Sequence, residues 1–173
     1  MFLYVFISFM MNSILLFDFK EKSNIDYWNI VDDGVMGGLS SSQFSIDENG
    51  NAVFSGFVTT ENNGGFCSVQ YNFKTMALSQ KTVFIIRLKG DGKKYQFRVK
   101  SKSNDYYSYI YEFQTTTDWQ TIEIPISEMY ASFRGRTLNI PNYDGTSLAQ
   151  LAFLISNKRN ENFKLLIDKI EVE

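Results

Sequence analysis

The feature that most constrains this chain is a two-residue alternation of large apolar and polar side chains, renewed along most of its length. Tyr95-Gln96-Phe97-Arg98-Val99-Lys100 alternates strictly, and Ile122, Ile124 and Ile126 alternate against Thr121 and Glu123. Residues 106–114 put Tyr107, Tyr109, Tyr111 and Phe113 on one side. A period of two is that of a strand with one face turned to a core. Related runs cover 14–19, 43–47, 52–60, 65–73, 82–89 and 163–172. The last of these has Leu166, Ile170 and Val172 on one face and Leu165 and Ile167 on the other. Residues 148–155 read either as strand throughout or as a helical turn entering a strand. Asn49-Gly50 and Gly90-Asp91-Gly92 supply hairpin turns. Residues 76–80 are too short to assign, and 127–143 read as a long irregular loop, a length that usually caps a structure or carries function. About ten short strands and no amphipathic helix predict an all-β fold, an antiparallel β-sandwich of jelly-roll type.

Composition narrows the function. Aromatic residues make up 16% of the chain, which suits pleated surfaces. A net charge of −2 argues against a nucleic-acid binder that works by neutralising phosphates. The chain has no histidine, which removes Ser-His-Asp and Cys-His catalysis and His-based zinc sites together. Its single cysteine, Cys67, cannot form an intrachain disulfide and sits in a strand pattern where packing is preferred over reactivity. A reducing, cytoplasmic location is the expectation.

Residues 1–17 are uncharged and apolar. They lack the basic start and small-residue cleavage site of a signal peptide, and they are short for a membrane span. The preferred reading makes Met10 or Met11 the start, with 1–11 an apolar extension and 12–173 a single β-sandwich domain; no stable membrane span is expected.

Two segments break the alternation. The first contains Asp32-Asp33-Gly34-Val35-Met36-Gly37-Gly38, and the second is Asn62-Asn63-Gly64-Gly65-Phe66. Glycine at these positions permits tight turns and close backbone approach. The first is no phosphate cradle, because its spacing fits neither G-x-G-x-x-G nor a P-loop and its acids repel anions. Adjacent Asp32 and Asp33 tend to point apart, which disfavours shared acid–base work. Calcium is conceivable for such hard ligands, but no EF-hand pattern is present. A loop contributing to a recognition surface is preferred, with a purely structural loop as the alternative. Asn62 and Asn63 can bridge to the first loop by their amides. Arg134 and Arg136, separated by Gly135, are either partners of Asp32 or Asp33 or solvated charges. The tyrosine row is either a wall of the core, which is preferred, or a platform for sugars.

Through these residues the chain resembles the complex I intermediate-associated protein 30 family. The resemblance rests on Trp28, Asp33-Gly34-Val35-Met36-Gly37-Gly38-Leu39-Ser40, Phe54-Ser55-Gly56 and Glu61-Asn62-Asn63-Gly64-Gly65-Phe66-Cys67-Ser68. It continues through Arg87-Leu88-Lys89-Gly90-Asp91-Gly92, Trp119, Ile124-Pro125, Arg134-Gly135-Arg136 and the closing strand. The segment 157–162 departs from the pattern by lacking a glycine before that strand. The resemblance implies a galactose-binding-like jelly roll and a non-enzymatic role, because the family's mitochondrial members act as assembly chaperones for respiratory complex I. Its plant and cyanobacterial members attach the domain to a dinucleotide-binding-type domain. A protein partner is therefore expected, with no cofactor, no metal and no catalytic residues. The expected binding residues are Asp33, Gly34, Val35, Met36, Gly37 and Gly38, then Asn62, Asn63, Gly64, Gly65 and Phe66, then Arg134 and Arg136. These three groups are expected to meet at one end or edge of the sandwich, with Asp33 and Arg136 fixing the geometry. A carbohydrate-binding module is the alternative.

Overall fold

The computed structural model describes residues 13–20, 25–78 and 81–173. The extension expected over 1–11 and the end of the unassigned run 76–80 lie outside the described residues. Thirteen strands are described, in two antiparallel sheets. In the first sheet, β3 (Ser41–Ile46), β4 (Ala52–Val58), β13 (Glu161–Val172), β6 (Val83–Lys89) and β9 (Trp119–Pro125) lie side by side in that order. β1 (Ile14–Asp18) continues the line of β4 along the far half of β13. The second sheet runs in the order β11 (Arg136–Thr137), β10 (Tyr130–Phe133), β8 (Ser108–Gln114), β7 (Lys94–Lys100), β12 (Ser147–Ile155), β5 (Cys67–Ala77) and β2 (Trp28–Ile30). This is the sandwich that the alternation predicts.

The core forms where the inward positions of the two sheets meet. Phe84 of β6 packs edge-on against Phe97 of β7 with ring centroids 5.1 Å apart, and Phe97 packs against Phe153 of β12 at 5.4 Å. Tyr95 meets Phe163 across the same space at 6.4 Å. Tyr109 and Tyr111 pack against the core and Phe113 is buried in it, so the tyrosine row is an inner wall. Residues 148–155 are strand throughout.

Two expectations need correction. The long loop at 127–143 contains a hairpin, because β10 pairs with both β8 and β11 and extends the second sheet. Its strands are short, and Arg134 (φ 50°) and Gly135 (φ 75°) turn the chain between them. The closing strand is also not split between two faces. Leu165, Ile167, Ile170 and Val172 are all fully buried, because the register shifts between Ile167 and Lys169. That one-residue bulge reverses the alternation and returns both halves to the core. The bulged Asp168 is held by Lys20 Nζ and Arg87 Nε, each at 2.9 Å.

Where β1 and β3 of one sheet face β2 and β5 of the other, the gap is filled by Phe17, Phe19, Trp28, Phe44, Tyr71 and Phe73. Trp28 lies at the middle, 4.9 Å from both Phe17 and Phe44. Its indole Nε1 is buried with no hydrogen-bond partner among the described residues. Trp28→Ala is expected to cost about 3–5 kcal/mol, as for other large-to-small core changes. Trp28→Phe is expected to cost only about 1–2 kcal/mol, because it removes an unsatisfied donor along with the lost volume. Urea denaturation of both variants checks the difference.

Candidate functional site

The two adjacent acids tie four segments together. Asp33 begins a short 3-10 turn, Asp33–Met36, and is wholly buried. Its carboxylate accepts the Gly65 N–H at 2.6 Å, the Ser40 N–H at 3.0 Å and the Phe66 N–H at 3.2 Å, and the Ser40 hydroxyl donates to it as well. The Ser40 hydroxyl oxygen also accepts the Thr59 N–H at 3.0 Å, which brings in the end of β4. Asp32 points the other way, as adjacent residues in an extended chain do. It accepts the Ser42 N–H at 2.7 Å, the Ser42 hydroxyl at 2.8 Å and the Ser68 N–H at 3.2 Å, joining β3 to β5. These carboxylates are saturated by backbone and hydroxyl donors of their own chain. Burial alone would raise the Asp33 carboxyl, but the Ser40 hydroxyl and the N–H groups of Gly65, Ser40 and Phe66 outweigh it and hold the group below the ordinary carboxylate range.

The glycines follow from this carboxylate. A Cβ on Gly38 would collide with the Asp33 side chain, and one on Gly64 would lie 2.7 Å from Asp33 Oδ2 and 2.8 Å from the Thr59 carbonyl. The two loops are therefore linked by the Asp33 carboxylate meeting the Gly65 and Phe66 amides, together with the Asp33 N–H donating to the Phe66 carbonyl at 3.3 Å. The Asn62 and Asn63 amides make no described bond to the first loop; both residues instead take the left-handed conformation that asparagine tolerates (φ 53° and 62°). Cys67 is fully buried, and burial with the neighbouring Asp32 carboxylate pushes its thiol up, away from the reactive thiolate.

Some of the predicted residues border a groove of about 860 Å³ on the outer face of the second sheet. Met36, Asn63, Gly64, Gly65 and Phe66 line it, and so does Arg134. Arg136, Val35, Gly34, Gly37, Gly38 and Asn62 do not. Strand register sets the two rims apart. Phe66 precedes Cys67, which pairs with Ile155 near the Lys94 end of β7, whereas Arg134 follows Ser132, which pairs with Ser108 near the Lys100 end. The loop groups thus flank opposite ends of one groove and do not meet at one end. Neither Arg134 nor Arg136 joins Asp32 or Asp33 in an ion pair among the described residues; the Arg134 guanidinium lies 5.3 Å over the Phe133 ring.

The floor between the rims was missed by the sequence reading. Gln96, Arg98 and Lys100 of β7 face outward, as do Ser108 and Glu112 of β8, Ser132 of β10 and Leu154 of β12. Those on β7 and β8 are the polar partners in the alternation that located these two strands, and an outward polar face of this kind is indistinguishable in sequence from a solvated one.

The family description "Complex I intermediate-associated protein 30 (CIA30)" matches residues 17–167. The chain belongs to this family. The CIA30-family chain is 23% identical over 181 residues to "Complex I intermediate-associated protein 30, mitochondrial" of Mus musculus, covering 91% of this chain and 55% of the mouse protein. It therefore spans about half the length of that relative. An uncharacterized protein of Schizosaccharomyces pombe is 28% identical over 180 residues, covering 91% of this chain and 82% of its own length. Among solved structures, the family 11 carbohydrate-binding module of a Clostridium thermocellum cellulosomal cellulase superposes with a TM-score of 0.68 at 20% identity, covering 92% of this chain and 93% of the module. That likeness agrees with the jelly-roll fold.

For this CIA30-family chain, Asp33→Asn is expected to destabilise by about 2–4 kcal/mol, since an amide nitrogen would face backbone donors and the charge would be lost. The folded carboxyl titrates below its unfolded value, so its contribution is complete above about pH 4 and is lost as pH falls through the folded value. Urea midpoints between about pH 5 and 3 should therefore fall less steeply in Asp33→Asn than in the native chain.

Proposed function

We propose that this chain is a non-enzymatic protein-binding domain that assists assembly of a larger complex, with its partner seated in the groove on the second sheet. The observation that carries the reading is the groove itself. It joins the Met36 and Gly64–Phe66 rim, which Asp33 makes rigid, to a polar sheet face and to the Phe133–Arg134 hairpin. Rigid rims with exposed apolar groups suit recognition of a macromolecule: Met36 is 50% exposed and Phe133 37%. Family membership supports a respiratory complex as the assembly, because the mouse relative carries complex I in its name. The location that accompanies this reading is a reducing compartment, the cytoplasm, in keeping with the one buried thiol.

Catalysis is not part of the reading. Glu112 is the one carboxylate that lines the groove among the described residues, so no pair of acids is available for acid–base work there. The tyrosines that suggested sugar stacking face the core at Tyr109 and Tyr111, so they do not support the carbohydrate alternative.

The test is association in cells. The tagged native chain should migrate on native gels with a larger species, whose subunits mass spectrometry names. The double variant Met36→Asp/Phe133→Asp, which places charge on both rims, should run as the free chain while melting at an unchanged temperature. Co-migration identical to the native chain would remove the groove from the function.

A further inference from the structure

The groove gathers several cations. Arg98, Lys100, Arg134 and Lys158 line it, and none of them joins an ion pair among the described residues. The whole chain carries a net charge of −2, so this cluster of cations is local. Glu112 offsets it only in part, because both its oxygens are engaged elsewhere. Its Oε2 is taken by Lys94 Nζ at 2.9 Å and its Oε1 accepts the Gln96 side-chain amide at 3.0 Å.

That arrangement prepares Arg98 for a ligand. The Gln96 side-chain oxygen accepts Arg98 Nε at 2.9 Å and Nη2 at 2.6 Å, which fixes the plane of the guanidinium on the floor. Nη1 makes no hydrogen bond among the described residues, which leaves its donors for an acceptor. Burial pushes the Arg98 guanidinium down to about 10, and the attraction of the Glu112 carboxylate offsets only part of that. A half-buried charge of this kind is an energetic cost that an incoming anion relieves, and a planar fork suits a carboxylate.

We propose that the groove receives an extended, acidic polypeptide segment of a partner protein, with an Asp or Glu side chain seated on Arg98. This rests on the protein-binding reading above and specifies its chemistry. A flat anionic bilayer meets rims before it meets a floor, and Arg98 lies on the floor. An acidic sugar would gain from an open aromatic face, but the exposed ring of Tyr106 stands edge-on to Phe133 at 5.3 Å, with an interplanar angle of 82°. A polypeptide uses what is present. Ser108 and Ser132 can bond its main chain, Lys100 and Lys158 can meet further acids, and Met36 and Phe66 can receive flanking apolar side chains.

Fluorescence anisotropy with the full chain provides the test. The probes are a labelled dodecapeptide of glutamate, serine and leucine, and the same peptide with glutamine for glutamate. The glutamate peptide should bind at least about tenfold tighter, and Arg98→Gln should erase about that factor. Arg98→Lys should retain part of the affinity, because it keeps the charge and loses the fork. Lys74→Gln, an exposed change outside the groove, should bind as the native chain does. If Arg98→Gln melts early, Arg98→Lys and Lys158→Gln carry the comparison. Equal affinity for the two peptides, or no effect of the groove variants, overturns the inference. So does binding of phosphatidylglycerol vesicles or polygalacturonate that depends on Arg98 and that the glutamate peptide does not displace. Loss of the cellular complex in Met36→Asp/Phe133→Asp without any preference for glutamate would overturn the acidic chemistry and leave the protein-binding role standing. Glutamate-selective, Arg98-dependent binding by a chain that joins no cellular complex would support the inference and remove the assembly role.

Discussion

The structure depends on one buried carboxylate. Asp33 has no exposed surface, yet it is ionised below the usual range because three backbone N–H groups and a hydroxyl converge on it. Desolvating a carboxylate costs several kcal/mol, and only a near-complete shell of donors offsets that cost. The chain builds the shell from two segments about thirty residues apart, so neither loop is stable in its conformation without the other. Asp32 adds the complementary tie, from the same turn to Ser42 and Ser68 at the starts of the flanking strands. Two like charges can sit next to each other here because an extended backbone sends successive side chains in opposite directions.

This tie sets the shape of the groove. Gly65 and Phe66 donate to Asp33, and from that point the chain enters β5 and pairs with β12. The rim is thus continuous with the sheet whose outer face forms the floor. At the other end the rim is the β10–β11 hairpin, held by pairing with β8. Both rims are anchored to one sheet, so the width of the groove follows from strand spacing and not from the packing of one sheet on the other.

Much of this was legible in the sequence. Strict alternation at 95–100 and 106–114 located β7 and β8, because one face of each is buried and the period of two is then unambiguous. The Asn49-Gly50 turn and the inward tyrosines read correctly for the same reason. What was not legible is where local pattern carries little information. The bulge at Asp168 shifts register by one residue, and its two stabilising cations come from Lys20 and Arg87, distant in the chain. β10 and β11 are too short to show a period. The groove floor was hidden because an outward strand face is polar whether it meets water or a ligand. Only its neighbours across β8 and β12 show that Arg98 is half-buried and joins no ion pair among the described residues. The missing glycine at 157–162 also has a structural counterpart: Lys158 itself adopts the left-handed conformation (φ 57°) and thereby lies on the groove.

The division between frame and face bears on what a family signature can mean. Asp33, Gly38 and Gly64 belong to the segments that carry the family resemblance, and they are consumed by internal contacts. Gly38 and Gly64 exist to make room for a carboxylate, and that carboxylate has no open approach for a partner. Such residues specify that a groove forms at this place. They are silent about what enters it, because a saturated buried group has no remaining bond to offer. Selectivity has to come from side chains whose bonding is incomplete in the free protein, and on the groove floor the clearest of these is Arg98. Its plane is fixed by Gln96, the Glu112 carboxylate that attracts it is engaged by Lys94, and it lines the groove. Under the proposed acidic-segment reading, the chemistry of recognition is set on β7, between one rim that the signature residues position and another held by the pairing of β10 with β8.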